Sequence, residues 1–252
     1  AFDRGPLVSF TGQAPRLWGV PLFFAAFDTD TARAFAQWSL GTLAWSLLAV
    51  ALWQRLASTP ARMLAITGVL GLGLTPQVTN WDLAILSESL TISLGVLTLA
   101  FFLRWHDPAP RHRTAALAAL TCCAVWWTFT RPDIRLMTAV LATAIGWSAW
   151  RRRHTVRAVP AVVAVAVLAG ALAWVSVITP NMDRTFANWS ATGLPLREET
   201  LMYRLRLQVL PDPELSAAYR DHLGMPDCPA ARRIAAGSAW AIVEFADAYR
   251  GC

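Results

Sequence analysis

Five apolar stretches, with an arginine cluster in every second gap between them, constrain this chain more than any other feature. They run Ala34–Trp53, Met63–Thr75, Leu83–Leu103, Ala115–Trp150 and Ala158–Ile178. The fourth is interrupted at Thr130–Arg135, so about five to six helical passes or half-passes need a place. A run of about 20 apolar residues matches a hydrocarbon core about 30 Å thick. In that core a helix satisfies its own backbone. The gaps 54–62, 104–113 and 151–157 hold Arg55, Arg62, Arg104, Arg111, Arg113, Arg151, Arg152, Arg153 and Arg157 against one acid, Asp107. Basic loops stay on the cytoplasmic side. Residues 1–33, 76–82, 130–135 and everything after Thr179 then face outward. The alternation holds at every gap. It predicts an all-α, polytopic integral membrane protein with its unusual polar residues on one side.

Composition agrees. The 252 residues are 56% hydrophobic and only 15% charged, with 13 Trp and a mean hydropathy of +0.42, too apolar for an ordinary soluble domain. The net charge of +6 comes from arginine alone, since the chain has no lysine. Its concentration in the cytoplasmic gaps assigns it to topology and anionic headgroups, and excludes nucleic acid as a partner. The lysine-free, alanine-rich character points to a bacterial plasma membrane. The sequon Asn188-Trp189-Ser190 then reads as a chance occurrence. The chain opens Ala-Phe-Asp with no signal-like segment and closes at Gly251–Cys252 after a helical run. It reads as the middle of a longer protein.

Three parts are expected. Residues 1–33 form an outer loop in which Leu17–Phe27, too short to span, makes a helix at the outer interface. Asp28–Thr31 supplies capping for the first span. Residues 34–178 form the transmembrane bundle, whose last helix ends at Thr179–Pro180. Residues 179–252 form a small extracytoplasmic region with helical pieces at Glu198–Val209, Pro213–Leu223 and Ala230–Tyr249. Cys228 and Cys252 both fall there, and an oxidising compartment permits a disulfide between them. Cys122 and Cys123 read as small apolar residues of a membrane helix.

Chemistry concentrates at the outward ends of the spans. Glu88, in Ser87-Glu88-Ser89, lies about one and a half turns inside the third stretch, where an ionisable group is costly. Ala84, Ser87, Glu88, Thr91, Gly95 and Thr98 share one small, polar face that should pack inward. Glu88 either lines a cavity or points up to water. Arg131, Asp133 and Arg135 occupy a tight turn at headgroup level. The two guanidinium forks suit a lipid-linked phosphate, or else they anchor the interface while Asp133 makes a local salt bridge. Trp81 reads as an interfacial belt residue. Asp82 reads as a helix cap or as a second acid facing the cavity of Glu88. Asp3, Arg4 and Arg16 lie on the outward N-terminal segment. The four histidines have no metal-ligand spacing, and neither a phosphate-binding glycine loop nor a nucleophile elbow is present.

Three stretches together resemble the GT-C superfamily of polytopic glycosyltransferases. Gly12-Gln13-Ala14-Pro15-Arg16-Leu17-Trp18-Gly19-Val20-Pro21-Leu22 is similar to the segment closing that family's first outer loop. Ile85-Leu86-Ser87-Glu88-Ser89-Leu90, within Trp81–Leu90, resembles its Ser/Thr-Glu-Ser element. Phe129-Thr130-Arg131-Pro132-Asp133 resembles its later Arg-Pro turn. The match covers residues 10–178. It implies transfer of a sugar from a polyprenyl-phosphate donor to an envelope glycan, lipid or protein acceptor on the outer face. An acid activates the acceptor hydroxyl, and basic groups stabilise the departing phosphate. The family's acid follows a first membrane helix that this chain lacks, which leaves Asp3 as the candidate, with Glu88 as a second carboxylate. The resemblance assigns the donor phosphate to Arg131, Arg135 and Arg16, with Trp81, Asp82 and Asp133 shaping the site. No cofactor is identified, and a divalent metal is compatible with the chemistry. The competing reading is a non-enzymatic polytopic protein, such as a transporter or a lipid flippase component. That reading predicts polar residues at the bilayer midplane and an inverted repeat, and neither is seen. A membrane-embedded acyl- or phosphotransferase would want a histidine or a carboxylate pair in the site.

Overall fold

The computed structural model describes residues 8–14, 16–76, 78–79, 87–106, 113–151, 158–237 and 241–252. Among these the secondary structure is helical, with no strand. The chain divides into two compact units, the body of one being Arg16–Thr179 and of the other Pro180–Cys252.

In the first unit a short helix α1 (Gly19–Ala25) precedes α2 (Asp30–Arg55), α3 (Thr59–Gly73), α4 (Ser87–Trp105), α5 (Arg113–Thr128), α6 (Arg135–Arg151) and the greater part of α7 (Ala158–Trp189), whose residues from Pro180 belong to the other unit. Caps set the starts. The Thr29 side chain accepts a hydrogen bond from the Ala32 N–H at 3.2 Å, and Ser58 does the same for Ala61 at 3.4 Å. Helix α4 is central, packed between α2 and α5. Val20, Ala44, Leu90, Leu94 and Leu97 form one buried cluster. Trp105, Leu117, Leu120, Ile145, Ala161 and Leu168 belong to another, which joins α4 to α7. On α7 the buried residues Ala161, Ala164, Leu168, Ala171, Val175 and Ile178 recur every three or four positions, the spacing of a helix with one packed face.

Among the described residues, three helices are long and apolar enough to cross a membrane: α2, α4 and α7. This is fewer than the five to six that hydropathy alone suggests. Helix α3 has 15 residues, which at about 1.5 Å per residue reach about 22 Å, short of a core about 30 Å thick. A second correction concerns Pro180, where the last span was expected to end. Helix α7 continues through it to Trp189. Proline removes one backbone donor, but helix persists where Thr and Ser hydroxyls serve nearby carbonyls. Here Thr179 Oγ1 donates to the Val175 carbonyl and Ser176 Oγ to that of Leu172, at 2.6 and 2.8 Å.

The second unit contains α8 (Leu196–Arg204), which runs into a π turn at Leu205–Val209, then α9 (Pro213–Leu223), α10 (Pro229–Ala235) and α11 (Ile242–Arg250). The single piece expected over Ala230–Tyr249 is therefore two helices, with a turn at Gly237 whose N–H donates to the Ile234 carbonyl at 3.0 Å. Leu205, Val209, Ala231, Ile242 and Phe245 make the core. Asp212 caps α9 by accepting from the N–H groups of Glu214 and Leu215, both at 3.0 Å. Gly224, at φ 67°, ends it in the left-handed conformation that favours glycine. A disulfide joins Cys228, at the start of α10, to Cys252 beyond α11, with Cα atoms 5.9 Å apart.

Candidate functional site

The connection between α5 and α6 is built by its sequence. Proline disfavours helical geometry in the residue before it, and Arg131 is extended at φ −151°, ψ 143°. Pro132–Ile134 then makes one 3₁₀ turn into α6. The two helix ends are tied beneath this turn by the buried hydroxyls of Thr128 and Thr138, 2.9 Å apart.

Extended backbone at Arg131 aims its side chain at the first turn of α4. Arg131 Nη1 meets Glu88 Oε1 at 2.7 Å, and Arg131 Nε meets Asp133 Oδ1 at 3.1 Å. Ser87 Oγ donates to the other Glu88 oxygen at 3.0 Å. Just inside this pair, the Thr91 hydroxyl reaches the Ser87 carbonyl at 2.6 Å and the Thr130 hydroxyl at 3.0 Å. The Glu88 and Arg131 side chains are 33% and 37% exposed, so incoming solute can reach the pair.

Helix α1 closes one side of the turn. The Gly19 N–H donates to the Phe129 carbonyl at 3.0 Å, and Trp126 Nε1 donates to the Gly19 carbonyl at 2.9 Å. A Cβ at Gly19 would fall 2.6 Å from the Phe129 oxygen, so only glycine allows this approach. The Trp18 ring stacks on Phe129, with centroids 4.7 Å apart.

The sequence-derived candidates are thus distributed as follows. Glu88, Arg131 and Asp133 form one connected cluster. Arg135 begins α6, with its Nε donating to the Pro132 carbonyl at 2.8 Å. Arg16 is exposed, three residues before Gly19. Cys228 and Cys252 are bonded to each other. Asp3, Trp81 and Asp82, as well as Ala84 of the polar α4 face, lie outside the described residues. Of that face, Thr91 and Thr98 are buried. Gly95 lies so close to the Trp127 ring that a Cβ would sit 3.0 Å from it. Sequence reasoning missed the docking of Gly19 and the Thr91–Thr130 contact. A glycine flanked by Trp18 and Val20 was the available signal for the first. Two hydroxyls 39 positions apart offered none for the second.

Chemically, the cluster is a guanidinium held by two carboxylates. An anion that takes two nitrogens of Arg131 at once must replace a carboxylate oxygen on one edge of the fork, and a phosphate has the geometry to do so. Among the described residues, no three His, Cys, Asp or Glu side chains gather as a metal ion would require. In comparisons with known proteins, the chain matches no family model, no curated protein and no solved structure.

Proposed function

We propose that the chain is part of a membrane glycosyltransferase of GT-C type, with a polyprenyl-phosphate sugar as donor and an envelope glycan, lipid or protein as acceptor. The observation that carries this reading is the meeting of Glu88 with Arg131, beside Asp133, at the ends of apolar helices. In the full reading, the shorter helices complete a bundle of five to six passes in a bacterial plasma membrane. The cluster then lies on its outer face.

The donor phosphate takes the Arg131 fork, displacing Glu88, while Arg135 and Arg16 add positive charge nearby. The freed Glu88 carboxylate accepts the proton of the acceptor hydroxyl. The hydroxyl oxygen bonds to the anomeric carbon as the bond from that carbon to the phosphate oxygen breaks, and the electron pair leaves with the lipid phosphate.

A second reading draws on the same contacts. With two of its nitrogens already on carboxylates, Arg131 also suits a structural clasp in a non-catalytic protein, such as a transporter or flippase component.

Native mass spectrometry of the detergent-purified protein with added polyprenyl phosphate separates the two. The glycosyltransferase reading expects an adduct on the wild type that Arg131→Ala loses. It expects Glu88→Gln, which releases the guanidinium, to keep or strengthen the adduct while sugar transfer falls. No phosphate-dependent adduct, or one that Arg131→Ala retains, returns Arg131 to the clasp.

A further inference from the structure

The other end of the α5–α6–α7 region carries an unrelated feature. Gly146, Ala149 and Trp150 of α6 and Ala158, Val162 and Val165 of α7 line an open groove of about 400 Å³. That volume lies within the roughly 300–1,000 Å³ of small-molecule sites. The groove exists because its walls are small. A Cβ added at Gly146 would come no closer than 3.7 Å to Val165, an ordinary contact.

Its lining is almost wholly apolar, but positive charge follows at its edge. Arg151 succeeds Trp150, and its guanidinium carbon lies 5.2 Å from the Trp147 ring centroid. Trp147 itself stacks near Trp150, with centroids 4.9 Å apart. The sequence then continues through Arg152, Arg153 and Arg157, with no acid before α7 begins. An apolar groove on helices of this hydropathy would be filled by any lipid tail. An apolar groove with the Arg151 guanidinium at its edge favours a lipid whose headgroup is negative, because basic pockets between membrane helices take such headgroups.

We infer that the groove between α6 and α7 is a binding site for an anionic phospholipid, with an acyl chain along Gly146, Ala149 and Val162 and its phosphate at Arg151. This site uses none of the residues of the Glu88–Arg131 cluster and does not depend on the chemistry proposed there.

The test is delipidation of the full chain in detergent, followed by titration with phosphatidylglycerol or phosphatidylcholine and native mass spectrometry of the retained adducts. Phosphatidylglycerol should be retained in preference, by about fivefold for the charge of Arg151. Gly146→Leu should abolish that adduct by filling the groove. Arg151→Gln, at an exposed helix end, should lower the preference about fivefold while leaving phosphatidylcholine unchanged. Helicity and melting measured alongside identify any variant that fails to fold. The inference is overturned by equal retention of the two lipids in the wild type. It is equally overturned by a preference that survives both substitutions in folded protein.

Discussion

The two units bury apolar side chains for different reasons. In the C-terminal unit the helices are short and amphipathic, and the core around Phe245 is small. Transfer of apolar surface out of water supplies its driving force, and a disulfide closes it. In the larger unit, Val163 and Val177 of α7 are 56% and 68% exposed while Leu168 is fully buried. The same residue class thus occupies both sides of one helix. Where lipid replaces water there is little gain in hiding such a side chain, and close packing of small residues takes over. Gly19 against Phe129, Gly95 against Trp127 and the alanines of α7 are that kind of contact. Burial therefore reports stability in one unit and only geometry in the other.

The sharpest way to break this comparison is to cut the core that depends on water. Phe245→Ala should destabilise the C-terminal unit by about 3–5 kcal/mol, since its ring is fully buried. Hydrogen exchange should report a loss of protection confined to Pro180–Cys252. Unchanged protection there would mean that the disulfide alone holds the unit. Next in size is a matched pair of exposed positions. Val167→Arg, on the open side of α7, should raise the apparent insertion energy of that helix by about 3 kcal/mol. Leu223→Arg, at the exposed end of α9, should move the melting of its unit by less than about 0.5 kcal/mol. Equal effects at the two positions would put α7 in water and remove its assignment as a span.

Much of the fold can be read from the sequence because length and apolarity are local properties. Helices α2, α4 and α7 follow their hydrophobic runs, and the break at Arg131 follows from Pro132. Proline was a poorer guide at Pro180, where the surrounding helix overrides a local preference. The candidate site was legible only as a set of residues. Glu88 and Arg131 are separated by 43 positions, and no periodicity states which carboxylate an arginine will choose. The same holds for Cys228 and Cys252, whose shared compartment permitted a bond that only the packing of α10 and α11 brings together. Gly19 could not be singled out among 14 glycines until its partner carbonyl was known.

The smallest expected effect concerns the ion pair itself. Glu88 and Arg131 are each about one third exposed, and pairs open to water couple by roughly 0.2–1 kcal/mol. A double-mutant cycle of Glu88→Gln and Arg131→Gln on thermal stability should return a value in that range. Asp133, 3.1 Å from Arg131 Nε, keeps the guanidinium partly compensated when Glu88 is lost. Adding Asp133→Asn to the cycle should therefore raise the cost of Glu88→Gln, because the arginine then has neither carboxylate. A Glu88–Arg131 coupling several-fold above 1 kcal/mol would mean that the pair is sealed from water, as a structural clasp would be. A phosphate could not then exchange with Glu88 at the arginine. A coupling within the range leaves the guanidinium free to trade a carboxylate for a phosphate at little cost, as a donor site requires.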